Sequence, residues 1–214
     1  MISLANRPSK LSSSKMLKVQ LGAFDRPANG WLNTDITPHI WIAKIPLLPR
    51  ILYSAGFMTE ERYHQHMNGI FSSLTYLNLS KPLPFADNSV NAVFSSHVFE
   101  HLFMDEVERL IEEIHRCLTP GGVCRVVVPD LEKIIKIFDR QDPRHFVSVM
   151  FEVSARRNVK NAHHSGFTGS LLEKLFREAG FSETAVLSYR VGRCPDVEEL
   201  DNRPEESLFF EAIK

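Results

Sequence analysis

Residues 83–102 read LPFADNSVNAVFSSHVFEHL, and how this stretch divides decides the fold. Pro84, Asp87 and Asn88 make its opening a turn. VNAVFSS at 90–96 then reads as a buried strand. Directly after it stand His97, Glu100 and His101, the H-x-x-E-H spacing of one class of zinc peptidase. In such a peptidase one helix presents both histidines to the metal. Here the string straddles a strand end and a helix start, so the peptidase reading is set aside. His97 falls instead at the carboxyl edge of a strand.

Working outward, LKVQLGAF at 17–24 alternates apolar and polar positions and reads as the first strand. DRPANG is a turn by its Pro, Asn and Gly, and WLNTDI gives a second strand ending near Asp35. LTYLNL at 74–79 is a third, VCRVVVPD at 123–130 a nearly continuous buried one, and TAVLSYRVG and SLFFEAIK close the chain. Met104 to Cys117 carries Val107, Leu110, Ile111 and Ile114 at helical spacing, and Pro120, Gly121 and Gly122 stop it. Further helices are expected at about 131–140, 144–155 and 170–178. Residues 38–70 read as short helices broken at Pro46 and Pro49, with a last one capped by Thr59. Strands alternating with helices predict an α/β fold with a seven-stranded, mostly parallel sheet and helices on both faces. The last two strands, with no helix between them, are expected to pair antiparallel. Residues 1–15 read as a flexible Ser-rich tail, and 16–214 as one domain with a helical insertion at about 38–70.

A chain of 214 residues suits one core. Its formal net charge of −1 creates no field to attract nucleic acid or an anionic membrane, and the basic ARRNVK at 155–160 reads as a solvated loop. Cys117, Cys124 and Cys194 have no framework spacing, which suggests reduced thiols and a cytoplasmic protein. No apolar run approaches the roughly 20 residues that cross a bilayer. The first residues lack the apolar stretch of a secretory signal. Neither a membrane nor a nucleic-acid partner is expected.

LGAFDRPANGWLNTDI, LPFADNSVNAVFSSHVFEHL, RCLTPGGVCRVVVPD and AHHSGFTGSLLEKLFREAGF, in that order, resemble the class I S-adenosylmethionine-dependent methyltransferases. The resemblance implies a Rossmann-like fold with S-adenosyl-L-methionine bound outside the carboxyl ends of the strands. It implies a cofactor cradle at Gly22, Ala23 and Phe24, ribose hydroxyls on Asp35, the adenine beside Asn78 and Leu79, and His97 at the methyl-donor site. This sequence departs from the family at Phe24, where a second glycine is usual, and at Asn78, where an Asp often stands. Asp35 lies only thirteen residues after Gly22, leaving little room for the usual helix.

The implied activity is methyl transfer to a small-molecule or glycan-like acceptor, at oxygen, with His97 as base. The aromatic 38–70 segment, with Trp41, Tyr53, Phe57 and Tyr63, either folds over the pocket or packs on the sheet. A narrower likeness concerns O-methyltransferases that carry E-x-x-E-H and bind a divalent metal. It marks His97, Glu100 and His101, with His163 or His164, as a candidate metal set. The alternative is a non-catalytic methyltransferase-like binding module. A nicotinamide enzyme is disfavoured because no G-x-G-x-x-G follows the first strand.

Overall fold

The computed structural model describes residues 16–152 and 162–214. The expected tail at 1–15, the end of the 144–155 helix and the basic stretch at 155–160 lie outside the described residues.

Seven strands form one sheet: β1 Lys18–Leu21, β2 Leu32–Asp35, β3 Thr75–Tyr76, β4 Val90–Ser96, β5 Leu118–Pro129, β6 Glu183–Leu187 and β7 Ser207–Ile213. Their order across the sheet is β3-β2-β1-β4-β5-β7-β6. Strands β1 to β5 run parallel, and β7 is antiparallel to both of its neighbours, β5 and β6. Strand order reverses between β1 and β4, the place where open α/β sheets leave a crevice.

Side-chain alternation builds the two layers. On β4 and β5, Val93, Cys124, Val126 and Val128 face one core, while Ala92, Phe94, Val123 and Val127 face the other. Helices α4 (Met104–Cys117) and α7 (Gly169–Glu178) cover the first face with Leu110, Ile111, Ile114, Leu172 and Phe176. Each such fully buried apolar side chain is worth about 1.5–3 kcal/mol. Helix α4 also carries Asp105 and Glu106 in its first turn and His115 and Arg116 in its last, charges that complement its dipole. Thr168 caps α7 by accepting a hydrogen bond from the Leu171 amide.

The second face is covered mostly without helices. Trp31 from the β1–β2 loop packs there with Val197 and Leu200 of the short helix α8 (Val197–Leu200), which lies between β6 and β7. Residues 38–70 form α1 (His39–Ala43), α2 (Leu48–Ser54) and α3 (Glu60–Met67), the last capped by Thr59. Two short helices, α5 (Leu131–Lys136) and α6 (Arg144–Val147), follow β5. Among the described residues no helix is long and apolar enough to cross a membrane. The three cysteines are buried and unpaired.

Some expected boundaries move, each for a local reason. The first strand ends at Leu21 because Gly22 and Phe24 have φ of 67° and 42° and turn the chain. The third strand shrinks to Thr75–Tyr76, since Asn78 starts a turn by accepting from the Ser80 amide. Pro120, Gly121 and Gly122 do not separate helix from strand: β5 begins at Leu118, and these residues form a bulge between the pairs Val90–Leu118 and Ala92–Val123. A helix, α8, does stand between the last two strands, yet they pair antiparallel.

Candidate active site

A cleft of about 520 Å³ opens at the switch point, within the roughly 300–1,000 Å³ typical of small-ligand sites. The β1–β2 loop from Gly22 to Asn29 forms one wall. Ser96 and His97, at the end of β4, form the back. Glu199, Leu200, Asn202 and Arg203, from α8 and just beyond it, form the other wall.

No helix joins β1 to β2; polar side chains of the strands hold the loop instead. Buried Gln20 donates to the Arg26 carbonyl at 3.0 Å and accepts from the Ala28 amide at 3.1 Å. Asn33, also buried, both donates to and accepts from the Ala28 backbone. The Asp35 carboxylate accepts from the amides of Phe24 at 3.0 Å and Thr37 at 2.7 Å. Burial outweighs these bonds and holds its carboxyl above the usual value. At Gly22 the left-handed backbone and the Val98 side chain, which a Cβ would strike, both require glycine. Phe24 takes up its own left-handed conformation, where the resembled family often has glycine. Its ring packs beside His39 and Phe71, with the Arg62 guanidinium 4.5 Å from its centre.

Of the residues expected to hold the cofactor, Gly22, Ala23, Phe24 and His97 line the cleft. Asp35, Asn78 and Leu79 do not. Asp35 faces the loop amides, Asn78 is engaged with the Ser80 amide at 2.9 Å, and Leu79 packs on the main core. None of residues 38–70 lines the cleft either. Sequence reasoning missed Asp25, Arg26, Asn29, Glu199, Asn202 and Arg203. The charges inside DRPANG, read only as a turn, were the available signal; the second wall had none beyond a polar run before the last strand.

His97 has φ of 53°, a left-handed conformation uncommon for a side-chain-bearing residue. Its backbone amide donates to the Val127 carbonyl. Its Nδ1 lies 3.1 Å from Glu100 Oε1 and its Nε2 3.0 Å from Ser207 Oγ. Glu100 is 2% exposed, and its Oε2 is buried with no hydrogen-bond partner among the described residues. Ligand atoms of Glu100, His101 and His163 lie within 4.8 Å of one another. His101 Nδ1 is 3.2 Å from the Ala162 carbonyl. Burial lowers the His163 pKa, which favours its neutral form. His164, exposed, stacks instead on Phe103. Of the metal set marked in the sequence, the structure thus gathers Glu100, His101 and His163, with His97 bonded to Oε1 of the same carboxylate.

Comparison with known proteins agrees with this frame. Residues 53–126 match the methyltransferase domain family. A 117-residue segment is 30% identical to the ubiquinone/menaquinone biosynthesis C-methyltransferase UbiE of Desulfotalea psychrophila, covering 51% of this chain and 47% of that enzyme. The chain therefore spans about half the length of the curated relative it matches. A Mesorhizobium loti S-adenosylmethionine-dependent methyltransferase shares the fold with a TM-score of 0.50 and 19% identity, over 94% of this chain and 91% of that one. Haemonchus contortus phosphoethanolamine N-methyltransferase 2, solved with S-adenosyl-L-methionine, gives 0.54 and 12%, over 93% and 48%. The chain thus shares its fold with solved S-adenosylmethionine-dependent methyltransferases, and its residues 53–126 are similar to the methyltransferase domain family.

Proposed function

We propose that the chain binds S-adenosylmethionine in this cleft and transfers its methyl group to a hydroxyl of a small polar acceptor, sugar-like in character. The observation that carries this reading is His97, held at the cleft back in a left-handed conformation with a buried carboxylate on one ring nitrogen. The polar walls support a polar acceptor: Asn29, Glu199 and Asn202 offer donors and acceptors to hydroxyls. Arg26 and Arg203 suit the carboxylate of the cofactor. The Gly22 turn lets the backbone approach it closely.

When bound, the cofactor supplies a methyl carbon already activated by its sulfonium. The residues then need only align the acceptor and take up a proton. With Nδ1–H donating to Glu100, the basic lone pair of His97 sits on Nε2, where the Ser207 hydroxyl donates to it at rest. An acceptor hydroxyl that replaces Ser207 there delivers its proton to Nε2, and Glu100 stabilises the resulting cation. UbiE is named a C-methyltransferase, so a carbon acceptor is the competing outcome. Calorimetric titration with S-adenosylmethionine, followed by turnover on sugars and phenols, tests the reading. His97→Asn should keep cofactor binding and lose turnover at least a hundredfold, within the range of about 10²–10⁴ for general-base catalysis. Absence of any cofactor binding would favour a non-catalytic module.

A second reading adds a divalent ion, and Glu100 Oε2, buried without a partner among the described residues, favours it. Glu100, His101 and His163 would hold the ion. If His101 Nδ1–H donates to the Ala162 carbonyl, its Nε2 is left as a ligand, with the outer bond that metal-bound histidines usually make. Mixed nitrogen and oxygen donors suit zinc, manganese, iron or cobalt better than magnesium. The ion would lower the pKa of an acceptor hydroxyl. Elemental analysis of untagged protein decides: His163→Ala should lose the ion and His164→Ala keep it. Metal well below one equivalent in the wild type, even after zinc or manganese is added, would leave the three as packing residues.

A further inference from the structure

Segment 38–70 stays out of the cleft, yet one of its side chains reaches two residues of the cleft wall. Arg62 and Gln65 stand three apart on α3, a spacing that sets them side by side. Arg62 Nη1 donates to Asp25 Oδ2 at 2.9 Å, and Gln65 Nε2 donates to the same oxygen at 3.3 Å. Arg62 also donates to Gln65 Oε1, so the two helical side chains and the carboxylate close a ring of bonds. The guanidinium carbon lies 4.5 Å from the centre of the Phe24 ring. The pair is partly shielded. Its Arg62 and Asp25 side chains are 24% and 26% exposed, so water screens it less than an open surface pair. Helix α3 does not depend on this pair for its place. Tyr63 stacks on Tyr53 with ring centres 4.6 Å apart, and buried His66 packs on Phe71 at the same distance.

We propose that Arg62 is a positioning residue for the cofactor loop, holding Phe24 and Asp25 in the geometry that a ligand meets. The proposal rests on the reading of the cleft as the S-adenosylmethionine site. Phe24 is left-handed without being glycine, a conformation that lasts only where its surroundings fix it. Asp35 fixes its backbone from the β2 side, and Arg62 fixes its ring from the α3 side. Asp25 is held by one oxygen. Among the described residues its Oδ1 has no hydrogen-bond partner, while the residue lines the cleft. That oxygen is left to accept from an ammonium or hydroxyl of the ligand. Without Arg62 both side chains gain rotamers that a ligand must then remove, so the cost appears in affinity.

Amide hydrogen exchange and calorimetric titration with S-adenosylmethionine, both on the full chain, test this. Arg62→Met keeps the side-chain stem and removes its charge and donors. The Phe24 and Arg26 amides bond Asp35 and the Ala23 carbonyl. In the free variant their exchange should quicken about tenfold, while exchange along β4 stays as it was. Cofactor affinity should fall about tenfold. Arg62→Lys, which restores a cation without the planar fork, should recover part of both. Asp25→Asn should quicken the same two amides, and the double variant should go no further than Arg62→Met alone, since both break one interaction. Unchanged exchange at Phe24 and Arg26 in folded Arg62→Met would overturn the proposal. So would additive effects in the double variant, or exchange quickened equally along β4, which would make the role general to the fold. Should Arg62→Met fail to fold, Arg62→Lys and Asp25→Asn decide the matter at the same amides. A wild type that binds no S-adenosylmethionine would remove the cofactor reading of the cleft, and the exchange rates would still decide whether Arg62 holds the loop.

Discussion

Replacing Arg125 with Met should unsettle both the sheet and the cleft. Arg125 is completely buried on β5 and makes five hydrogen bonds: two to Asp201, one to Glu211, and one each to the carbonyls of Ser188 and Val191. Met fills the space but leaves two buried carboxylates without their cation. The Arg190 amide still bonds Asp201, and the Arg193 and Cys194 amides still bond Glu211, so neither acid is wholly stranded. Removing one partner of a buried ion pair costs about 3–5 kcal/mol. For a chain of this length that is a fall of roughly 6–20 °C in Tm. Urea unfolding followed by circular dichroism measures it. Asp201 adjoins Leu200 and Asn202, which line the cleft, so cofactor affinity should fall in parallel. Arg125→Lys keeps the charge without the planar fork and should fall between the two. A loss below about 1 kcal/mol, the size of an exposed ion pair, would refute the reasoning.

Gly22→Val should destabilise by about 1–3 kcal/mol through left-handed strain and collision with Val98, and adding Val98→Ala should recover only part of this on denaturant curves. Asp35→Ala frees the Phe24 and Thr37 amides, so cofactor affinity should drop through loosening of the loop, seen as faster amide exchange at Phe24. His66 is buried against Phe71 and shares a hydrogen bond with His39, itself near Arg62. Burial, then His39, lowers its pKa from 6.5 to about 4. The unfolded chain then binds the extra proton between those values, so stability falls on acidification from pH 6.5 to 4 by at most about 3 kcal/mol. His66→Gln should flatten that part of the profile; an unchanged slope would mean that other groups cause it.

The fold was legible because alternation along Val90–Ser96 and the helical spacing in Met104–Cys117 each record burial directly. The bulge at Pro120–Gly122 was not, since Pro and Gly mark a break without saying whether the ladder resumes. Arg125 was a signal left unused: one cation in a nearly continuous apolar strand requires buried partners, but those partners lie 76 and 86 residues away. The candidate site was legible only where it follows a strand end, at Gly22, Ala23 and Phe24 and at His97. Its second wall reaches the cleft by a long connection with no local periodicity. His163 and His164 are neighbours of the same type, and only the path of the chain turns one towards Glu100 and the other onto Phe103.

The pinning of both cleft walls has a thermodynamic consequence. Gln20, Asn33 and Asp35 fix one wall through the backbone, and Arg125 anchors the segment that carries the other through Asp201. A ligand entering such a cleft has little protein to order, so the entropic cost of association falls mainly on the ligand. Association should then follow a single exponential whose rate rises linearly with ligand concentration, without the plateau that a slow closing step imposes. Heat capacity changes on binding should match the apolar area covered in the cleft alone, with no added contribution from coupled folding.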